Sequence, residues 1–250
     1  MTIFRRIALA TLAAPLALGL AACGSESTEG AATSSEPVAE VPAPEGTEWR
    51  NVVAVTDEGG FLVGNPEAPI ELVEYGSLTC PACAAFSQQA SEELLGDYVN
   101  SGRVNFEFRS TLIHGAPDLI LTRLISCGSK EAAVPLADQV WGNLNAVLDP
   151  MQANAPALEA AMGLPEDQRF VGFAEAAGFL DFFASRGLSK DQARACLADF
   201  AAMEALAQQL DSQAKEDQIT RTPTFFLNGR MLDQSSWTEV EPLLQKAGAR

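Results

Sequence analysis

The sequence predicts an α/β fold, a sheet shared by a βαβ half and a ββα half, with a block of helices inserted between the two. Three observations predict it. The apolar run Ile70 to Tyr75 is followed at once by a helical stripe and then by the alternating stretch Arg103 to Arg109. Strand signals then vanish over a long interval of helical spacing. They return only at Thr224 to Leu227, ahead of an Asn-Gly pair and a closing helix.

Each element has its own warrant. IELVEY, Ile70 to Tyr75, is short, apolar and β-leaning, as a central strand is. Pro81 stands where a helix has its first residue, a place where its missing N–H costs nothing. Ala84, Phe86, Ala90, Leu94 and Leu95 carry that helix toward Tyr98. Arg103 to Arg109 alternates Val104, Phe106 and Phe108 with polar residues, the period of a half-buried strand. The first half therefore reads as a parallel βαβ unit.

Helical spacing follows in Leu119 to Cys127, Val134 to Leu148, Ala155 to Met162 and Asp167 to Phe183. Ser189 to Gln192 is a capping box opening a further helix with Ala193, Cys196 and Leu197. TFFL at Thr224 to Leu227, then Asn228-Gly229, then Arg230 to Leu232, reads as a hairpin. Ser236 to Glu239 caps the last helix. A βαβ half and a ββα half in one sheet make the thioredoxin fold, expected over 49–126 and 219–250 with the helical insertion at 127–218.

The N-terminus reads as targeting rather than structure. Phe4-Arg5-Arg6 is positive, and Ile7 to Leu20 is uncharged and apolar but short for a bilayer span, as in a signal peptide over 1–22. Leu20-Ala21-Ala22-Cys23 resembles the lipobox of bacterial lipoproteins, which implies a lipid on Cys23. The alternative is ordinary secretion with cleavage after Ala22. Residues 23–48, rich in Ser, Glu, Pro and Ala, read as a disordered tether. The formal net charge of −17 excludes nucleic acid as a partner, since phosphate binding needs clustered Lys and Arg.

Of five cysteines, Cys80 and Cys83 form a close pair, and Cys127 and Cys196 stand alone. At the start of a helix, Cys80 faces unpaired N–H groups that favour a thiolate, the form that attacks disulfides. Cys83 lies one turn on, so Cys80 takes the role of nucleophile and Cys83 resolves the mixed disulfide. Zinc would need four N or S ligands, and no second close pair is present, so no metal and no cofactor are expected. Pro223 opens a β-rich run and cannot be an ordinary ladder residue. A trans Pro at a strand edge and a cis Pro are both open from the residues alone. In thioredoxin-like folds this place holds a cis-Pro facing the CxxC.

VEYGSLTCPACAAF, RVNFEFRSTL and TPTFFLNGR, in that order, resemble DsbA-like thiol–disulfide oxidoreductases from about Thr56 to the C-terminus. The resemblance implies a thioredoxin fold with an inserted helical domain and a redox-active Cys80–Cys83 pair. It implies a cis-Pro223 that, with Thr222, binds substrate, and Glu74 as a proton relay beneath the pair. It also implies a second, non-catalytic disulfide, here Cys127–Cys196. The implied activity is oxidation of dithiols in reduced or misoxidised exported proteins, in the cell envelope or periplasm, with reoxidation by a membrane redox partner. One departure is Ala82, where well-known DsbA oxidases carry His, and it predicts a less acidic Cys80 and a less oxidising pair. The alternatives are a reductase or isomerase of the same fold, and a peptide-binding lipoprotein without turnover.

Overall fold

Residues 36–250 are described by the computed structural model; the signal peptide, Cys23 and the first part of the tether lie outside the described residues. Among the described residues, six strands form one mixed sheet in the order β1-β2-β4-β3-β5-β6. They are β1 Val53–Val55, β2 Phe61–Gly64, β3 Ile70–Gly76, β4 Val104–Ser110, β5 Thr224–Leu227 and β6 Arg230–Met231. β3 and β4 run parallel, with Glu74 beside Phe108, and β5 runs antiparallel to β3, with Glu74 opposite Phe225. The thioredoxin-like fold with its βαβ and ββα halves is therefore present, and Ile70–Gly76 is its central strand.

Alternation along the strands gives the sheet two different faces. Phe106, Phe108 and Phe225 share the face that carries Glu74, and α1 (Pro81–Glu93) packs there. The Phe86 and Phe225 ring centroids are 4.4 Å apart. α10 (Trp237–Lys246) closes the same region, with Trp237 edge-on to Phe86 and Tyr98. The opposite face carries a polar network beside apolar residues such as Val73 and Phe226. Arg109 grips Glu107 through two bonds of 2.8 Å, Thr56 donates to Glu107 at 2.7 Å, and the Tyr75 hydroxyl bonds Asp217.

That network explains one departure from the sequence reading. β4 is not half-buried; its polar residues Asn105 and Glu107 are as covered as its phenylalanines. Asn105 and Glu107 are tolerated inside because each has hydrogen-bond partners. A second departure is the pair β1 and β2, which the sequence reading lacks. They are three and four residues long and are joined through Gly59-Gly60, too short for a period to show.

Eight helices occupy the interval between β4 and β5: α2 Ala116–Ser126, α3 Lys130–Gly142, α4 Leu144–Ala153, α5 Ala155–Met162, α6 Glu166–Ala176, α7 Phe179–Ala184, α8 Lys190–Ala198 and α9 Phe200–Glu216. Two spans expected as single helices are broken. One ends at Asn143, and the other at Gly178, whose φ of +76° is a left-handed turn that glycine adopts freely. Asp199 starts α9 by accepting from the Ala202 N–H at 3.1 Å. Both capping boxes, at Ser189 and Ser236, are formed.

The tether as read from the sequence runs to Glu48, but residues 36–48 lie along the domain. Val38 N–H bonds Gly248 O, Val41 N–H bonds Ser101 O, and Trp49 Nε1 donates to Val41 O. The segment has no helix or strand, and backbone bonds that composition does not reveal hold it.

Candidate active site

β3 ends at Gly76, and four residues later the chain enters α1. Cys80 is the cap of that helix, with extended φ and ψ of −84° and 121°, and Pro81 is its first residue. Capping by a thiol sets the geometry: the Cys83 N–H points at Cys80 Sγ at 3.5 Å. Both cysteines are free thiols and largely covered, Cys80 8% exposed and Cys83 0%.

The two sulfurs are in unequal surroundings. The Cys83 thiol, directed at Cys80, lowers the Cys80 pKa most, and burial opposes it. Contact with Thr222 and the N–H groups of Cys83 and Ala82 lowers it further, to about 5. Burial raises the Cys83 thiol far above its ordinary range, and the bond to Cys80 and the nearby Glu74 carboxyl push the same way. One sulfur is thus held as a thiolate at neutral pH and the other as a thiol.

Across the pair lies the loop before β5. The Thr222–Pro223 peptide bond is cis, and the Thr222 carbonyl oxygen lies 3.5 Å from Cys80 Sγ. Below the pair, Glu74 projects from β3, buried, with its pKa raised by burial first and then by Asp138 and Cys80. Cys127, at the end of α2, and Cys196, in α8, form a disulfide, with Cα atoms 6.1 Å apart and a sequence separation of 69. Cys23 is outside the described residues.

Sequence reasoning missed the residues that hold the active-site turn. Asp118, fully buried at the start of α2, accepts from Ser77 Oγ at 2.8 Å, Thr79 Oγ1 at 2.8 Å and Thr79 N–H at 3.2 Å. Its other oxygen accepts from His114 N–H at 2.8 Å. His114, from the loop ahead of α2, sets its Nδ1 2.7 Å from Thr79 Oγ1, the residue before Cys80. Trp141 of α3 donates its indole N–H to Ser77 O at 3.0 Å. In the sequence, Asp118 looks like any acid in a first helical turn.

Beside the cysteines runs a groove of about 380 Å³ lined by Thr79, Pro81, His114, Pro117, Leu148 and Met151. The Phe-rich run Gly178 to Phe183 is not part of it, since Phe179 and Phe183 are core residues.

A family model described as Thioredoxin matches residues 56–246. "Disulfide bond formation protein D" of Bacillus subtilis is 29% identical over 84 residues, 34% of this chain and 36% of that one. The crystal structure of a protein-disulfide isomerase from Novosphingobium aromaticivorans superposes with a TM-score of 0.67 at 24% identity, over 73% of this chain and 94% of that one. Wolbachia pipientis alpha-DsbA1 gives a TM-score of 0.61 at 18% identity, over 81% and 96%. At these identities the structures bear on the fold alone. The chain spans less than two thirds of the length of the curated relatives it matches.

Proposed function

The chain belongs to the thioredoxin family and carries its DsbA-like fold, and on that premise we propose that it is an extracytoplasmic thiol–disulfide oxidoreductase that oxidises dithiols in exported proteins. The observation that carries the reading is the unequal pair: a Cys80 sulfur with its pKa lowered to about 5 beside a buried Cys83 that keeps its proton. A nucleophile that is a good leaving group, next to a shielded resolving thiol, is what reversible exchange requires.

In the oxidising direction a substrate thiolate attacks Cys80 Sγ of the Cys80–Cys83 disulfide. A new S–S bond forms as the old one breaks, and the electron pair leaves on Cys83 Sγ, which takes a proton. The substrate's second thiolate then attacks its own sulfur in the mixed disulfide, and Cys80 leaves as a thiolate. The substrate has lost two electrons and the pair has gained them. Thr222 and Pro223 border Cys80 and would hold the substrate backbone, and the apolar groove would take its side chains. Glu74 is the proton source for Cys83. The Cys127–Cys196 disulfide is structural. Cys23 would carry the lipid that keeps the protein at the envelope membrane, near a membrane redox partner that reoxidises it.

Ala82 favours a second reading, a weaker oxidant working as a reductase or isomerase, because a His there would add charge that steadies the thiolate. Equilibration of the Cys80–Cys83 pair against glutathione decides the direction. A potential above about −200 mV fits an oxidant, and one below about −250 mV fits a reductant.

A further inference from the structure

Two carboxyl groups approach each other in the covered space under α1. Glu74 is 1% exposed, and its Oε1 has no hydrogen-bond partner. Such an atom calls for an explanation, since buried polar groups are almost always satisfied. Asp138 reaches the same space from α3. Ser87 Oγ and Ser91 Oγ, one turn apart on α1, donate to its Oδ1 at 2.7 and 3.0 Å.

Glu74, Ser87, Ser91 and Asp138 line one small enclosed cavity, otherwise walled by Phe86, Phe106, Phe108, Trp141 and neighbouring apolar residues. Its volume of about 10 Å³ is room for one water, and its polar groups supply the partners a water needs. Gly76 keeps the space clear on the strand side: a Cβ there would stand 3.0 Å from Glu74 Oε1 and 2.9 Å from Phe108. The end nearer solvent is Asp138, which is partly exposed while Glu74 is not. Ser91 lies 11 residues past Cys80, roughly 16 Å along the helix.

We propose that Asp138 is the proton-handling partner of Glu74, connecting it to solvent at the α1–α3 seam, away from the face that substrate covers. The inference rests on the redox reading of the Cys80–Cys83 pair. When substrate attacks Cys80, the leaving Cys83 thiolate takes the proton of the Glu74 carboxyl. Solvent protonates the Asp138 carboxylate, and Asp138 passes that proton through the cavity to Glu74, now a carboxylate. Reoxidation of the pair runs the same transfers backwards. Substrate seated over Cys80 and Thr222 does not block this route.

The electrostatics agree with the geometry. The titratable groups that face Glu74 among the described residues are Cys80 and Cys83 at the start of α1 and Asp138 on α3; β4 and β5 offer it Phe106, Phe108 and Phe225. Burial and the like charge of Asp138 both favour a protonated Glu74. Asp138 is itself raised by burial, against the lowering by its two serine donors.

The test is D138N in the full chain, read by two measurements. The first is the infrared titration of the Glu74 carboxyl band, identified by its loss in E74Q. The second is the pH profile of dithiol oxidation. Removing the like charge should move the Glu74 midpoint down by about a unit, a tenfold change in its proton affinity. Turnover at neutral pH should fall roughly threefold to tenfold, a part of what general acid catalysis supplies. In the E74Q background, where the band is absent, D138N should leave the pH profile unchanged. An unmoved Glu74 band in D138N overturns the inference, and so does an equal loss of turnover with and without Glu74. If D138N does not fold, D138S removes the same charge and is read the same way. A wild-type chain that oxidises no dithiol overturns the redox reading and this inference with it. An active wild type with an unchanged D138N overturns this inference alone.

Discussion

The molecule holds two pairs of cysteines and treats them in opposite ways. Cys127 and Cys196, far apart in sequence, are joined and bridge the entry of the helical block to α8. Cys80 and Cys83, three positions apart, stand as free thiols at a helix cap. A crosslink between distant residues removes much of the freedom of the unfolded chain, whereas one between near neighbours removes little. The first kind suits a staple. The second adds little loop entropy whether open or closed, which fits a pair that opens and closes.

Replacing one sulfur of the working pair should give the largest effect. C80S should lose dithiol oxidation by at least about a thousandfold, as removal of a nucleophile does, with little change in melting temperature at pH 5, where the Cys80 thiolate adds no stability. Insulin or model-peptide turnover at the wild-type rate would break the contrast at once. The double variant C127S/C196S should do the reverse. It should lose about 2–4 kcal/mol in denaturant unfolding and keep its turnover; a variant as stable as wild type would show that the staple holds nothing.

G76A sharpens the comparison, because it presses only on the ground under the reactive pair. The added methyl group meets Phe108 and the Glu74 carboxyl, and overpacking of this kind costs about 1–3 kcal/mol. Urea unfolding reads it, and an unchanged midpoint would mean that the strand shifts freely there.

The smallest effect per unit is one of pH, and it belongs to the reduced form alone. Cys80 is depressed from 9.0 to about 5 in the folded chain. Between those values the unfolded chain binds the proton and the folded chain does not. Stability of the reduced form relative to the oxidised form should therefore rise from pH 5 to 9, by at most about 1.4 kcal/mol per unit, and be lost as pH falls to 5. Glu74 is present in both redox forms and largely cancels from the difference. Thiolate absorbance should titrate with a midpoint near 5; a midpoint near 9 would erase the distinction between the two pairs.

The parts of the fold that were legible in the sequence are those fixed by local signals. β3, the cap at Cys80, the Asn228-Gly229 turn with both residues at positive φ, and the two capping boxes all follow from neighbours in the chain. β1 and β2 escaped because strands this short owe their existence to partners: β2 pairs with Phe108 and Phe106 of β4, many residues away, and the edge strand β1 pairs with β2. Glu107 looked like a solvent-facing residue of β4 because nothing nearby in sequence announces Thr56, 51 positions away, as its partner. The same holds at the site. Cys80, Cys83 and Thr222-Pro223 carry motifs, whereas Asp118 and Asp138 are ordinary helix acids until the fold brings α2 and α3 to the turn.

The clamp by Asp118 has a consequence for recognition. The amide hydrogens of Thr79 and His114 are both given to one fully buried carboxylate. They should exchange with deuterium only as slowly as the core strands do. The turn ahead of Cys80 therefore meets every partner already shaped. Conformational freedom lost in the mixed complex is lost by the other chain. On the proposed function, selection would follow from flexibility: a thiol in a still-unfolded segment can fit itself to the fixed turn, and the same thiol locked in a finished domain cannot.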